Sequence, residues 1–170
     1  MKRFVGHPLV LCVGVVIAFA WLGTQRPAAQ DFKLKPNYGE IKLETGFVPD
    51  PYKKELVAGG DKVVMVNGVR MRITNQPDFR VFYKAGDVFP LSFYVRSDKD
   101  TMLLINLPNG KFIVDDDSGG NLNPLIVLQK PMSGQYDIWV GTFGEESKNA
   151  KALLHVTELK VNTPIPKLSQ

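Results

Sequence analysis

Apolar and polar residues alternate along this chain, and the alternation has period two over most of its length. Short runs of this kind recur at 39–44, 62–66, 69–74, 79–84, 91–96, 102–107, 111–114, 125–128, 134–140 and 152–158. Period two places successive side chains on opposite faces of a strand, so each run reads as a half-buried β-strand. The separators carry turn chemistry. Asn67-Gly68 between two apolar runs marks a tight hairpin, Asn109-Gly110 follows Pro108, and Ser118-Gly119-Gly120 and Ser133-Gly134 tolerate positive φ. No stretch has the 3.6-residue period of a long amphipathic helix. Evenly spaced strands of this length predict an all-β, antiparallel sandwich or barrel in a single domain.

The same alternation assigns faces. Val69, Met71 and Ile73 oppose Arg70, Arg72 and Thr74; Phe79, Val81 and Tyr83 oppose Arg80, Phe82 and Lys84; Leu91, Phe93 and Val95 oppose Ser92, Tyr94 and Arg96. Residues 102–107 are apolar on both faces apart from Asn106, which predicts a central strand. Tyr136, Ile138 and Val140 share one face, and Trp139 lies on the other. The segment 31–37 reads as an extended lead-in, the Pro-rich 47–54 as irregular, and the tail after 160 as loose.

The first 30 residues differ in kind. Lys2 and Arg3 precede an uncharged apolar run from Leu9 to about Gly23, followed by small and polar residues ending Ala28-Ala29-Gln30. That order is the layout of a secretory signal, with cleavage expected after Gln30; retention as a membrane anchor is the alternative. The expected organisation is therefore a signal at 1–30, an extended segment with a first strand at 31–59, the sandwich at 60–159 and a tail at 160–170. The mature protein is expected to be periplasmic or secreted, with no transmembrane span after cleavage.

Stripping the signal changes the chemistry. Lys2, Arg3 and Arg26 leave with it, so 21 basic residues become 18 against 17 acidic ones. The near-neutral balance removes a net-charge argument for polyanions, and export argues against nucleic acid. The one cysteine, Cys12, is also in the signal. Thiol catalysis, zinc–thiolate sites and disulfides are thereby excluded from the mature chain.

Three candidate sites remain. Asp115, Asp116 and Asp117, with Asp98 and Asp100 one hairpin earlier, offer hard oxygen ligands suited to calcium, although the spacing is not that of an EF-hand. Arg70, Arg72, Arg80, Phe82, Tyr94 and Arg96 would form one basic-aromatic face if their strands are neighbours. Trp139, on the face opposite the apolar set, is a candidate sugar or partner platform, or else packs under a loop. Catalytic signals are weak. The mature chain has one histidine, His155, and no nucleophile elbow or H-E-x-x-H motif. A hydrolase using aspartates stays open as the alternative to a non-catalytic module.

The blocks Asp98-Lys-Asp-Thr-Met-Leu-Leu-Ile-Asn-Leu-Pro-Asn-Gly110, Asp115-Asp-Asp-Ser-Gly-Gly120, Leu122-Asn123-Pro124 and Gly134-Gln-Tyr-Asp-Ile-Trp-Val-Gly-Thr142 together resemble the bacterial pre-peptidase C-terminal domain family and its secreted relatives. The resemblance covers about residues 60–159. It implies a jelly-roll-like sandwich and an accessory role beside secreted proteases, with calcium candidates at Asp98, Asp100 and Asp115 to Asp117. Partners would be an envelope or extracellular protein or a glycan. The chain departs from the family in having no attached protease domain, and in placing Val114 and about Met71 where relatives often carry cysteines.

Overall fold

The computed structural model describes residues 31–66, 68–143 and 149–168; the signal segment and its cleavage point lie outside the described residues. Among the described residues eleven strands are formed: β1 (Glu40–Glu44), β2 (Tyr52–Gly59), β3 (Lys62–Val66), β4 (Val69–Ile73), β5 (Phe79–Lys84), β6 (Leu91–Ser97), β7 (Thr101–Asn106), β8 (Phe112–Asp115), β9 (Leu125–Leu128), β10 (Gly134–Thr142) and β11 (Asn149–Thr157). No helix among the described residues is long and apolar enough to cross a membrane.

The strands form two sheets. The smaller has the order β2-β11-β6-β9. The larger is built on β10. One edge of β10 pairs with β7 from Asp137 to Thr142, and β8 lies beyond β7. Its other edge pairs with β5 from Gly134 to Ile138, then meets β4 where Thr142 faces Arg72. β3 pairs with β4, and β1 with β5. All pairings are antiparallel except β1 with β5, which is parallel, an arrangement that the long connection between these two strands permits.

The sheets pack face to face. Phe79, Val81 and Tyr83 of β5, Leu103 and Ile105 of β7, and Tyr136, Ile138 and Val140 of β10 meet Leu91, Phe93, Val95, Leu154 and Val156 of the other sheet. Those of β5, β6 and β10 are the residues the alternation groups on one face. A second cluster lies on the opposite face of the larger sheet. Val64, Val66, Met71 and Ile73 of the β3–β4 hairpin pack there with Met102, Leu104 and Trp139. Phe32 and Phe112 pack against the cluster, with the Phe112 ring 6.1 Å from that of Trp139. β10 is therefore buried on both faces.

Two local features make this possible. Gly141 lies under the hairpin, and a Cβ there would stand 2.8 Å from the carbonyl oxygen of Arg72. Only glycine permits that approach. Between the last β5 pair at Ile138 and the β4 pair at Thr142, the amide of Val140 has no strand partner on that edge. The buried Asp78 carboxylate supplies one: Val140 N–H donates to its Oδ2 at 2.8 Å, and Asp78 N–H donates to the Ile138 carbonyl at 2.8 Å. Asn37 Nδ2 and Thr74 Oγ1 lie within hydrogen-bond reach of its Oδ1, at 3.2 and 3.3 Å. Burial pushes the Asp78 carboxyl up to about 7, against these donors, which lower it.

Several expectations are corrected. Tyr52–Gly59 is a strand, although 47–54 reads as irregular. Residues 31–34 form a turn rather than an extended lead-in, with Leu34 N–H donating to the Asp31 carbonyl. The tail docks: Ile165 is buried, and its N–H donates to the Gly119 carbonyl at 2.7 Å. Trp139 is 0% exposed, so it is no surface platform; the hairpin covers the face that alternation gives it.

Asp78→Ala is expected to lower unfolding free energy by about 2–4 kcal/mol in urea titrations, because the Val140 amide loses its acceptor inside the protein. A change under about 0.5 kcal/mol would show that this amide finds another partner.

Candidate functional site

The acidic residues gather at the end of the sandwich where β6 turns into β7 and β8 leads to β9. The 116–124 loop is shaped by left-handed backbone at Gly120, Asn121 and Leu122. For Leu122 this conformation is costly, and the surrounding bonds hold it. Thr101 N–H donates to the Leu122 carbonyl at 3.2 Å, and Gly119 N–H to the Asn123 carbonyl at 3.0 Å. Buried Asn123 accepts from Ser97 N–H at 2.9 Å, which fixes the β6–β7 turn to the loop. The docked tail braces the far side, where Asn121 Nδ2 donates to the Ile165 carbonyl at 2.9 Å.

These contacts sort the five candidate carboxylates. Asp115 is engaged by its own loop, accepting from Ser118 Oγ at 2.5 Å, Ser118 N–H at 3.2 Å and Leu125 N–H at 2.9 Å. It closes the loop base. Asp100, Asp116 and Asp117 converge instead, with one oxygen of each within 4.8 Å of the others. Asp98 is half-buried and stands outside this group. Oδ1 of Asp100 and Oδ1 of Asp116 are buried without a hydrogen-bond partner. Burial, then the neighbouring Asp117, Asp100 and Asp115 charges, push the Asp116 carboxyl up to about 6. Asp100 is raised by burial and by Asp117, and Lys167 partly offsets this. Three acidic groups in one place, two with oxygens that face neither water nor a donor, favour any hard cation that enters.

The basic-aromatic face does not assemble. Arg70, Arg72, Arg80 and Phe82 belong to the larger sheet, and Tyr94 and Arg96 to β6 of the smaller one. Alternation assigns their side of a strand but not their sheet. Arg80 is interior: its guanidinium bonds Asp137 at 2.5 Å and the carbonyls of Phe32 and Leu34 at 2.5 and 3.1 Å. It pins the 31–34 turn over the sheet. Arg96 holds the tail, donating to the carbonyls of Pro166 and Lys167, both at 3.0 Å. Tyr94 stacks on His155 with ring centroids 4.3 Å apart. Burial pushes His155 down to about 4, so it is a neutral packing residue at pH 7. Arg70 is exposed on the hairpin, and Phe82 lines a shallow groove with Lys42 and Lys84.

A polar network that sequence reasoning misses lies at the opposite end. Buried Glu158 accepts from Tyr83 Oη at 2.5 Å and from Gly46 N–H at 2.7 Å, and Asp50 accepts from Thr157 Oγ1 and Glu158 N–H. It ties the 45–51 loop to both sheets. Only the acidic side chains themselves signal it in the sequence, because the partners lie more than 70 residues away.

Comparison with known proteins finds no family model that matches the chain and no curated protein that matches it.

Arg80→Ala is expected to cost about 3–5 kcal/mol in chemical denaturation, since it strands the buried Asp137 carboxylate. Arg70→Ala should change stability by less than about 0.5 kcal/mol. Equal effects would contradict the assignment of Arg80 to the interior.

Proposed function

We propose that this chain is an exported, non-catalytic β-sandwich module of the accessory type, stabilised by calcium at its acidic end. The observation that carries the reading is the convergence of Asp100, Asp116 and Asp117, with buried and unpartnered oxygens on the first two. The donor set is all oxygen and carries no thiolate or imidazole, which suits a hard cation. Bound there, the ion offsets two of the three carboxylate charges and ties the β6–β7 turn to the 116–124 loop. The role is architectural: it fixes one end of the sandwich and places no nucleophile or base beside a substrate.

The sequence blocks that resemble pre-peptidase C-terminal domains support the same reading, because they span this turn, this loop and β10. The signal-like start supports a periplasmic or secreted location. The partner is then an envelope or extracellular protein or a glycan.

Calcium is expected to raise the melting temperature of the wild-type protein, and Asp116→Asn or Asp117→Asn to abolish the rise. Asp98→Asn should leave it intact. Protons compete for the same oxygens, and Asp116 titrates near 6 without the ion. The calcium-induced rise should therefore shrink as pH falls from 7.5 towards 5. Without calcium the sign reverses: the raised Asp116 group favours the fold below the ordinary carboxylate range, and that contribution is lost as pH rises through about 6. No calcium effect on the wild type at pH 7.5, measured by scanning fluorimetry or calorimetry, would refute the cation site.

A further inference from the structure

The end of the sandwich opposite the acidic loop presents separate apolar tips. Four loops meet there. Thr45 N–H donates to the Lys84 carbonyl at 3.0 Å, Ala85 N–H to Ser133 Oγ at 2.9 Å, and Gly46 N–H to Glu158 at 2.7 Å. These bonds join the loops at 45–51, 85–90, 129–133 and 158–160. From them project Val48, Val88, Phe89, Met132 and Leu159, all exposed. Val48 is 89% and Val88 81% exposed, although each sits on a well-braced loop.

Charged residues share these loops. Lys130 and Lys160 are exposed on the same loops. Lys111 is exposed on the neighbouring 107–111 turn, where Pro108 packs close to Gly134. The acids are mostly engaged. Glu158 and Asp50 bond inward, and Glu44 pairs with Lys84 at 2.5 Å. Asp87 is the exposed acid among the described residues of these loops. The acidic cluster lies at the far end, where Thr142 of β10 faces Thr101.

We infer that this end is a membrane-surface site, in which the apolar loop tips enter the headgroup layer of an anionic bilayer and the lysines contact the lipid phosphates. Val48 and Val88, at 89% and 81% exposure on different loops, offer a rigid protein partner little contiguous area. A fluid interface closes around each one separately. Exposed lysines beside them add attraction to anionic lipid, and the distance of the acidic end keeps its repulsion away. The inference is independent of the calcium site.

The test reports on the tips themselves, because residues 1–30 carry an apolar run of their own. In the full chain with Cys12→Ser, a polarity-sensitive dye is attached at Val88→Cys, Val48→Cys or, as an exposed apolar control on β3, Met65→Cys. Vesicles of phosphatidylcholine alone or with phosphatidylglycerol are added. Labels at 48 and 88 should shift to the blue and become accessible to lipid-borne quenchers, with phosphatidylglycerol and low salt strengthening the response. The label at 65 should stay in water. Val88→Asp should weaken the response at 48 by at least about tenfold. Labels at 48 and 88 that remain in water on vesicle-bound protein would overturn the inference. So would an equal response at 65, or a shift produced by raising protein concentration without lipid.

Discussion

The fold depends on β10 being buried on both faces at once. Tyr136, Ile138 and Val140 fill the space between the sheets, and Trp139 fills the layer under the β3–β4 hairpin. A strand in that position cannot leave a backbone amide unpaired. One of its edges is shared by two strands that do not meet, and the gap falls at Val140. Asp78 closes it. The cost is a carboxyl held away from water, and its raised titration reflects that.

This arrangement also decides what the two ends become. With β10 and β7 fixed in register, the β6–β7 turn and the 116–124 loop are brought to one end, where three carboxylates converge. The other end collects the loops that carry Val48 and Val88; Glu158 and Asp50 fix the first of these, and the Thr45–Lys84 and Ala85–Ser133 bonds fix the start of the second. The molecule is thus polarised along β10. One end gathers carboxylates, and the other carries exposed apolar side chains.

Much of this was legible in the alternation of residues, because inward and outward positions on a strand are a local property. The inner faces of β5, β6 and β10 follow directly from it. β2 was not legible. Tyr52–Gly59 carries Lys53, Lys54 and Glu55 on an edge strand and turns inward fully only at Leu56 and Ala58, and its pairing partner lies about a hundred residues later. Trp139 shows the same limit. Period two gives its face, but the hairpin that covers that face arrives by long-range packing and needs Gly141 to fit. The basic residues were read as outward, yet their sheets differ, and Arg80 is enclosed by a turn whose bonds are to backbone carbonyls. In the acidic loop the composition pointed to the place. Which carboxylates meet there depends on Asp115 closing its own loop and on a tail held by main-chain bonds.

Native-state hydrogen exchange tests the dependence on β10 most directly. If one doubly buried strand unites both clusters, the amides of Tyr136, Ile138, Trp139 and Val140 and those of Met71 and Ile73 in the hairpin exchange only through global unfolding. Their exchange free energies then equal that from urea denaturation. Exchange of the hairpin and Trp139 amides through a separate, lower-energy opening would contradict it, because the two clusters would then be independent units.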